Sequence, residues 1–235
     1  MTEQTGRLDN PIDVMFLMHK AFHAQSERTE ALAAQGQAGG DLSEFMDSLN
    51  AWVAQLLYHA QTEDEHMTAP LTESQAARDN EAEHDELRQE GGALIEFLGR
   101  GDSAGLSENV RAAMQAMEEE QHAEIIASVG EVQDVLKTAL GEDRVLGRTR
   151  RHLYRRVMAL RILEYDHFEN EEAFVVSEVR EHMDEGQQLE IARRLLIEDG
   201  AEDPRWVIDW VAEELDADDR KVLADLDARL QAVSA

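Results

Sequence analysis

The feature that most constrains the fold is a His-x-x-x-Glu pattern that occurs twice in helix-forming sequence, at His59/Glu63 and His167/Glu171. Residues four positions apart lie on the same face of an α-helix, one turn from each other. An imidazole and a carboxylate in that arrangement present a nitrogen and an oxygen to the same metal ion. Two such pairs, with single histidines elsewhere, predict a two-metal site inside a bundle of helices.

The composition favours an all-α fold, because the chain of 235 residues has only three prolines and is rich in Ala, Leu, Glu, Gln and Arg. Its net charge of −29 would repel nucleic acid and anionic membranes, so neither is expected as a partner. The N-terminus is polar, and no apolar stretch approaches the roughly 18 residues of a membrane span. A cytoplasmic location is therefore the expectation.

The chain has no cysteine. Disulfides, thiolate metal sites, iron–sulfur clusters and cysteine nucleophiles are therefore excluded. Any metal must be held by His, Asp or Glu, and this donor set favours Fe, Mn, Zn or Cu.

Apolar periodicity predicts five long helices, separated by turns that contain glycine or proline. Phe168, Phe174, Val175 and Val179 belong to the apolar stripe of the fifth. After a break at Gly186 the helical segments become short. We expect a helix-bundle domain at residues 11–184 and a small helical appendage at residues 187–235. The predicted bounds of the long helices are residues 11–34, 43–68, 73–98, 107–140 and 148–183, with Gly141–Gly147 as the last turn between them.

The histidines are spaced so that they lie level on neighbouring antiparallel helices. Two residues on such helices are level when their midpoint in sequence falls in the connecting turn. The successive midpoints are 39, 71.5, 103 and 144.5, and each falls in a predicted turn. The spacing thus predicts that five histidines converge, with Glu63 and Glu171 one turn away: these are His19, His59, His84, His122 and His167.

The other four histidines fit this arrangement less well. His152 is fifteen residues from His167 on the same predicted helix, about 22 Å away, so the two cannot share a site. His23 is one turn from His19 and could replace it. The remaining two are His66 and His182.

The order and spacing of these motifs resemble those of the hemerythrin-like (HHE cation-binding) domain family, over about residues 11–184. The resemblance implies an up-and-down four-helix bundle with two non-haem iron ions, bound by histidines and bridged by two carboxylates. It implies that the ligands are His19, His59, His84, His122, His167, Glu63 and Glu171. It is carried by Leu17-Met18-His19-Lys20, His59-Ala60-Gln61-Thr62-Glu63-Asp64-Glu65, Glu83-His84-Asp85-Glu86-Leu87 and His167-Phe168-Glu169-Asn170-Glu171-Glu172.

The chain departs from this family in having five predicted long helices instead of four. One of the two helices that carry His84 and His122 would then be an insertion, and its histidine would not be a ligand. The motif around His84 matches the family better, whereas the spacing of His122 suits a helix adjacent to His167 equally well.

Three functions remain open at this point. The first is a di-iron protein that binds or senses dioxygen or a related small oxidant, such as peroxide or nitric oxide. The second is a di-iron oxidase or peroxide-degrading enzyme with the same ligands. The third is a metal-free helical protein that binds a protein partner through the appendage, where Trp206 and Trp210 lie.

Overall fold

A computed structural model describes residues 8–39, 42–71, 73–97 and 142–233 of the chain. These residues are mostly helical and contain no β-strand, which confirms the predicted all-α class. The described helices are α1 (Val14–Gly36), α2 (Ser43–Glu63), α3 (Gln75–Phe97), α4 (Glu142–Asn170), α5 (Val176–His182), α6 (Glu185–Leu196), α7 (Trp206–Glu214) and α8 (Ala217–Val233).

The first helix starts after Asn10, as the sequence predicts. A single 3-10 turn, Pro11–Asp13, leads into α1, and the Asn10 backbone N–H donates to Asp13 Oδ2 at 3.1 Å. Proline fits this position because the first N–H groups of a helix have no partner within it. Asp13 Oδ1 also accepts from Arg180 Nη2 at 2.7 Å, so this turn is held against α5.

Two of the long helices continue into a π-helical turn. α2 continues into Asp64–Thr68 and α4 into Glu171–Val175. In the turn Asp64–Thr68, the Ala69 N–H donates to the Asp64 carbonyl, five residues earlier, at 3.2 Å, which is the hydrogen bond of a π-helix. Such turns are rare and often mark functional sites. Here each adjoins the glutamate of a His-x-x-x-Glu pattern.

The described residues group into two compact units. The first draws on residues 8–24, 58–71, 73–84 and 165–233, and the second on residues 25–39, 42–57, 85–97 and 142–164. Every residue of the predicted metal site that the structure describes belongs to the first unit.

Within the first unit, the short C-terminal helices pack against α1 and α2. The Tyr58 hydroxyl on α2 donates to the Arg194 carbonyl of α6 at 2.6 Å. The Phe22 ring on α1 lies 4.8 Å from the Trp210 ring on α7, in an edge-to-face arrangement. Sequence alone does not show where residues 187–235 pack, and these contacts place them beside α1 and α2. The division into domains at residues 11–184 and 187–235 itself stays a prediction.

The second unit is held by contacts among α1, α2 and α4. Trp52 on α2 is fully buried, and its indole Nε1 donates to Oε2 of the buried Glu164 on α4. On the outside of the same unit, Arg161 of α4 pairs with Glu27 of α1, with 3.0 Å between Nη2 and Oε1. A buried hydrogen bond and an ion pair nearer the surface therefore both join helices of this unit.

The turn predicted at Gly141–Gly147 is wrong over residues 142–147, where α4 has already begun. An isolated glycine costs a helix roughly 1 kcal/mol without ending it. The midpoint between His122 and His167 thus falls inside a helix, and the spacing no longer predicts that these two histidines lie level.

The predicted break at Gly186 is displaced by a few residues. The chain turns at Met183 and Asp184, and the Asp184 side chain caps α6 by accepting from the Gln187 N–H at 2.9 Å. Gly186 lies within the first turn of α6. The helix predicted at residues 107–140 lies outside the described residues. None of the described helices is both long and apolar enough to cross a membrane.

Candidate metal centre

Six of the seven predicted ligands converge in the first unit. Their side chains come from four helices, and all are buried, with exposures between 0% and 3%. They are His19 on α1, His59 and Glu63 in the last turns of α2, His84 on α3, His167 near the end of α4, and Glu171 at the start of the following π-turn.

The first cluster consists of His19, His59, Glu63 and Glu171, each of which offers one ligand atom within 4.8 Å of the others. His59 Nε2 lies 2.9 Å from Glu63 Oε1, and His19 Nε2 lies 3.2 Å from Glu171 Oε2. Two nitrogens and two carboxylate oxygens form a donor set that suits a divalent transition metal.

The second cluster consists of Glu63, His84 and His167, with ligand atoms again within 4.8 Å of one another. His84 Nε2 is the central atom, since it lies 3.0 Å from Glu63 Oε2 and 3.0 Å from His167 Nε2. The two histidine nitrogens are within hydrogen-bond distance of each other, and the same spacing would suit two ligands of one metal ion.

Glu63 belongs to both clusters. Its Oε1 faces His59 and its Oε2 faces His84, so the two oxygens serve different clusters. Glu171 is placed similarly, because its Oε2 lies 3.2 Å from His19 Nε2 and 3.9 Å from His167 Nε2. This geometry fits two neighbouring metal ions bridged by carboxylates.

Several of these atoms are buried and have no hydrogen-bond partner among the described residues. They include His19 Nε2, His59 Nε2, both carboxylate oxygens of Glu63 and Oε2 of Glu171. Buried carboxylates without hydrogen bonds are costly unless a cation compensates them. The residues therefore fit a bound metal ion at each cluster.

Residues 10–120 match the hemerythrin HHE cation binding domain. This part of the chain is therefore similar to a hemerythrin HHE domain, which confirms the resemblance predicted from the motifs over the matched residues. Cation binding is the property that the name of the matched domain gives. No curated protein and no solved structure matches the chain significantly.

The match to the hemerythrin domain covers His19, His59, Glu63 and His84 and ends before His167. The match therefore does not bear on the second His-x-x-x-Glu pattern, which the structure brings beside the matched residues. His122, the seventh predicted ligand, lies outside the described residues, and its role stays a prediction.

Three histidines of the two clusters each have a carboxylate at Nδ1, on the side of the ring away from the cluster. The carboxylate accepts from Nδ1–H, which fixes the tautomer and leaves Nε2 available to a metal. The three carboxylates are not among the residues predicted for the site. The pairs are His19 with Glu172 at 2.8 Å, His84 with Asp64 at 2.7 Å, and His167 with Glu83 at 2.9 Å.

These carboxylates also shift the pKa values of the histidines. Burial opposes the charged form of His19, but Glu171 and Glu172 outweigh it and raise the pKa of His19 to about 9. Burial likewise opposes the charged form of His84, but Asp64 and Glu63 outweigh it and raise the pKa of His84 to about 10. Both imidazoles therefore hold a proton more strongly than a free histidine does.

Aromatic rings cover one side of the first cluster. The Phe168 ring stacks on the His19 imidazole, with 4.0 Å between centroids and 8° between planes. The Phe22 ring lies 5.0 Å from the His59 ring. Both phenylalanines are buried, and they limit access of water to the first cluster.

The histidines that the spacing leaves out of the site do not belong to either cluster. The His23 ring lies against the Tyr165 ring, tilted by 39° and with 3.8 Å between centroids, and His182 Nδ1 bonds to the Glu178 carbonyl at 3.0 Å. His152 is exposed on α4. His66 is partly exposed beside Glu65, with 3.8 Å between Nε2 and Oε2.

Proposed function

We propose that this chain is a non-haem di-iron protein that binds or senses dioxygen or a related small oxidant. The observation that carries the proposal is Glu63, whose two carboxylate oxygens lie about 3 Å from histidines of different clusters. A carboxylate placed in this way serves two ions at once. The proposal therefore requires two metal ions in each chain.

The donor set is compatible with iron, and the similarity to the hemerythrin domain favours iron among the metals that it suits. Imidazole and carboxylate ligands without any thiolate suit iron, zinc and manganese in a helix bundle. The HHE family is named for cation binding, and the buried carboxylates of this chain provide the negative charge that a pair of cations needs.

Two iron ions, when bound, supply one-electron redox chemistry and a coordination position for a small oxidant. The chain contributes the ligands, their orientation and a protected environment. Glu172, Asp64 and Glu83 hold three histidines by Nδ1, and Phe168 and Phe22 cover the first cluster. Limited access of water favours binding of a small neutral molecule at the ions over reaction with water. Ligands held in fixed orientations oppose loss of the ions.

Reconstitution with Fe²⁺ under anaerobic conditions, followed by dioxygen, tests the proposal. We expect a change in optical absorption that reverses when dioxygen is removed. Nitric oxide should also change the absorption, with the same number of molecules bound per chain. Sustained consumption of added peroxide would instead identify an oxidase or a peroxide-degrading enzyme. Protein that binds iron but responds to none of these molecules would contradict the proposed function.

The matched control is Glu63→Ala, which removes the shared carboxylate and leaves the apolar packing of the helices in place. It should show none of these spectral changes at equal protein concentration. A response of wild-type size in this variant would assign the signal to iron bound elsewhere.

A further inference from the structure

Asn80 is a buried polar residue that faces the metal centre. It lies on α3, one turn before His84, and is only 2% exposed. Its side-chain Nδ2 is 3.5 Å from His84 Nε2 and 3.5 Å from Glu171 Oε1. The amide group therefore contacts atoms of two of the ligands described above.

The hydrogen bonding of Asn80 is incomplete. Both contacts of Nδ2 are at the long limit for a hydrogen bond. Its carbonyl oxygen Oδ1 is buried and has no hydrogen-bond partner among the described residues. Buried carbonyl oxygens nearly always have a hydrogen-bond donor or a cation as partner. Asn80 Oδ1 is therefore expected to have such a partner as well.

The distances around His84 Nε2 match those between ligands of a single ion. Atoms that bind one ion at about 2.1 Å lie roughly 3.0–3.6 Å from one another. His84 Nε2 is 3.0 Å from Glu63 Oε2, 3.0 Å from His167 Nε2 and 3.5 Å from the Asn80 amide. The amide thus lies where a further ligand of the second cluster would lie.

We propose that Asn80 binds the metal ion of the second cluster through Oδ1. This inference rests on the proposed function, because it assigns a residue to the same centre. In the structure Nδ2 faces Glu171, since the reverse orientation would bring two oxygens together. A cation beside these residues removes that repulsion and selects the carbonyl oxygen, because an amide –NH₂ group is not a metal ligand.

The alternative role is a positioning one, in which Asn80 only donates a hydrogen bond to Glu171. Two substitutions separate the roles. Asn80→Leu has nearly the same size and removes both the oxygen and the donor. Asn80→Asp restores an oxygen ligand but has no N–H group, and its charge repels Glu171 unless a cation lies between them.

Anaerobic titration with Co²⁺ provides a redox-silent readout, with bound metal counted by equilibrium dialysis and visible absorption reporting the coordination. Wild-type protein should bind two ions. Asn80→Leu should bind at least one ion more than about 100-fold more weakly, which is beyond the 10–100-fold range of outer-sphere changes. Asn80→Asp should again bind two. The control Asn50→Leu, at an asparagine nine residues before His59 on α2, should match wild type.

Two results would overturn the inference. Wild-type binding of both ions by Asn80→Leu would remove Asn80 from the coordination sphere. Equal loss in Asn80→Leu and Asn80→Asp would leave only the hydrogen-bonding role. Far-UV circular dichroism checks the fold of each variant, and Asn80→Ala replaces Asn80→Leu if the latter does not fold. Failure of wild-type protein to bind two ions would count against the proposed function instead.

Discussion

Asp64 Oδ1 lies 2.7 Å from Nδ1 of His84, although the two residues belong to different helical segments. Asp64 is the first residue of the π-turn that follows α2, and His84 is on α3. The contact fixes the proton of the imidazole on Nδ1 and directs Nε2 towards Glu63. An acidic residue next to one ligand thus orients another.

Asp64→Asn should therefore weaken metal binding by about 10–100-fold, the usual effect of losing a carboxylate behind a ligand histidine. The amide still accepts a hydrogen bond but no longer carries charge. Competition with a chelator of known affinity measures the change. Asp85→Asn is the matched control, since Asp85 is 82% exposed and pairs with Arg88 at 3.0 Å. Equal effects of the two substitutions would show that only net charge matters.

Glu63→Ala and Glu171→Ala should each lose metal while the helices remain folded. Each substitution removes a carboxylate that contacts histidines of the centre, whereas the apolar stripes of the helices are unchanged. Metal content after iron loading and the helical circular dichroism signal are the two measurements. Full occupancy in either variant would exclude that glutamate from the site.

His84→Ala should lower metal affinity more strongly than Asp64→Asn, because it removes a direct ligand. His152→Ala should have no effect, since His152 is exposed and about four turns from His167 on α4. The effect of His122→Ala decides whether a fifth histidine takes part. An effect at His152 equal to that at His84 would contradict the position of the site.

Metal affinity should rise with pH between about 7 and 10. The pKa of His19 is about 9 and that of His84 about 10. At pH 7 both pKa values lie above the solution pH, so both imidazoles carry the extra proton that a metal ion must displace. Raising the pH removes this competition. Metal titrations at several pH values in weak buffer, with the released protons counted, should give up to two protons per chain. An affinity that does not change with pH would contradict the assignment of His19 and His84 as ligands.

The convergence of three histidines could be predicted because the connecting turns are short. α1 ends at Gly36 and α2 begins at Ser43, close to the midpoint of His19 and His59. The next turn, between Thr68 and Gln75, surrounds residue 71.5 in the same way. Helix periodicity and turn residues thus determine the level of these side chains.

The π-turns could not be predicted, because apolar spacing assumes one helical period throughout. Phe174 has the spacing of a buried residue, yet it is 60% exposed. It lies within the π-turn Glu171–Val175, whose backbone departs from the 3.6-residue period that the apolar stripe assumes. Val175 and Val179, by contrast, are buried as expected.

The carboxylates behind the histidines could not be singled out either. Asp64, Glu83 and Glu172 each stand next to a predicted ligand in the sequence. With 51 acidic residues in the chain, however, their presence there carries no signal. Only the approach of different helices shows which acidic side chain reaches which imidazole, and the same holds for Asn80.

The most direct test of the central claim is the number of metal ions bound per chain. Purified protein, expressed with ample iron and freed of loosely bound metal, should contain about two iron atoms per chain by elemental analysis against amino-acid quantification. The two clusters that share Glu63 account for this number. Fewer than one metal atom per chain, in protein that is folded and helical, would contradict the two-metal centre.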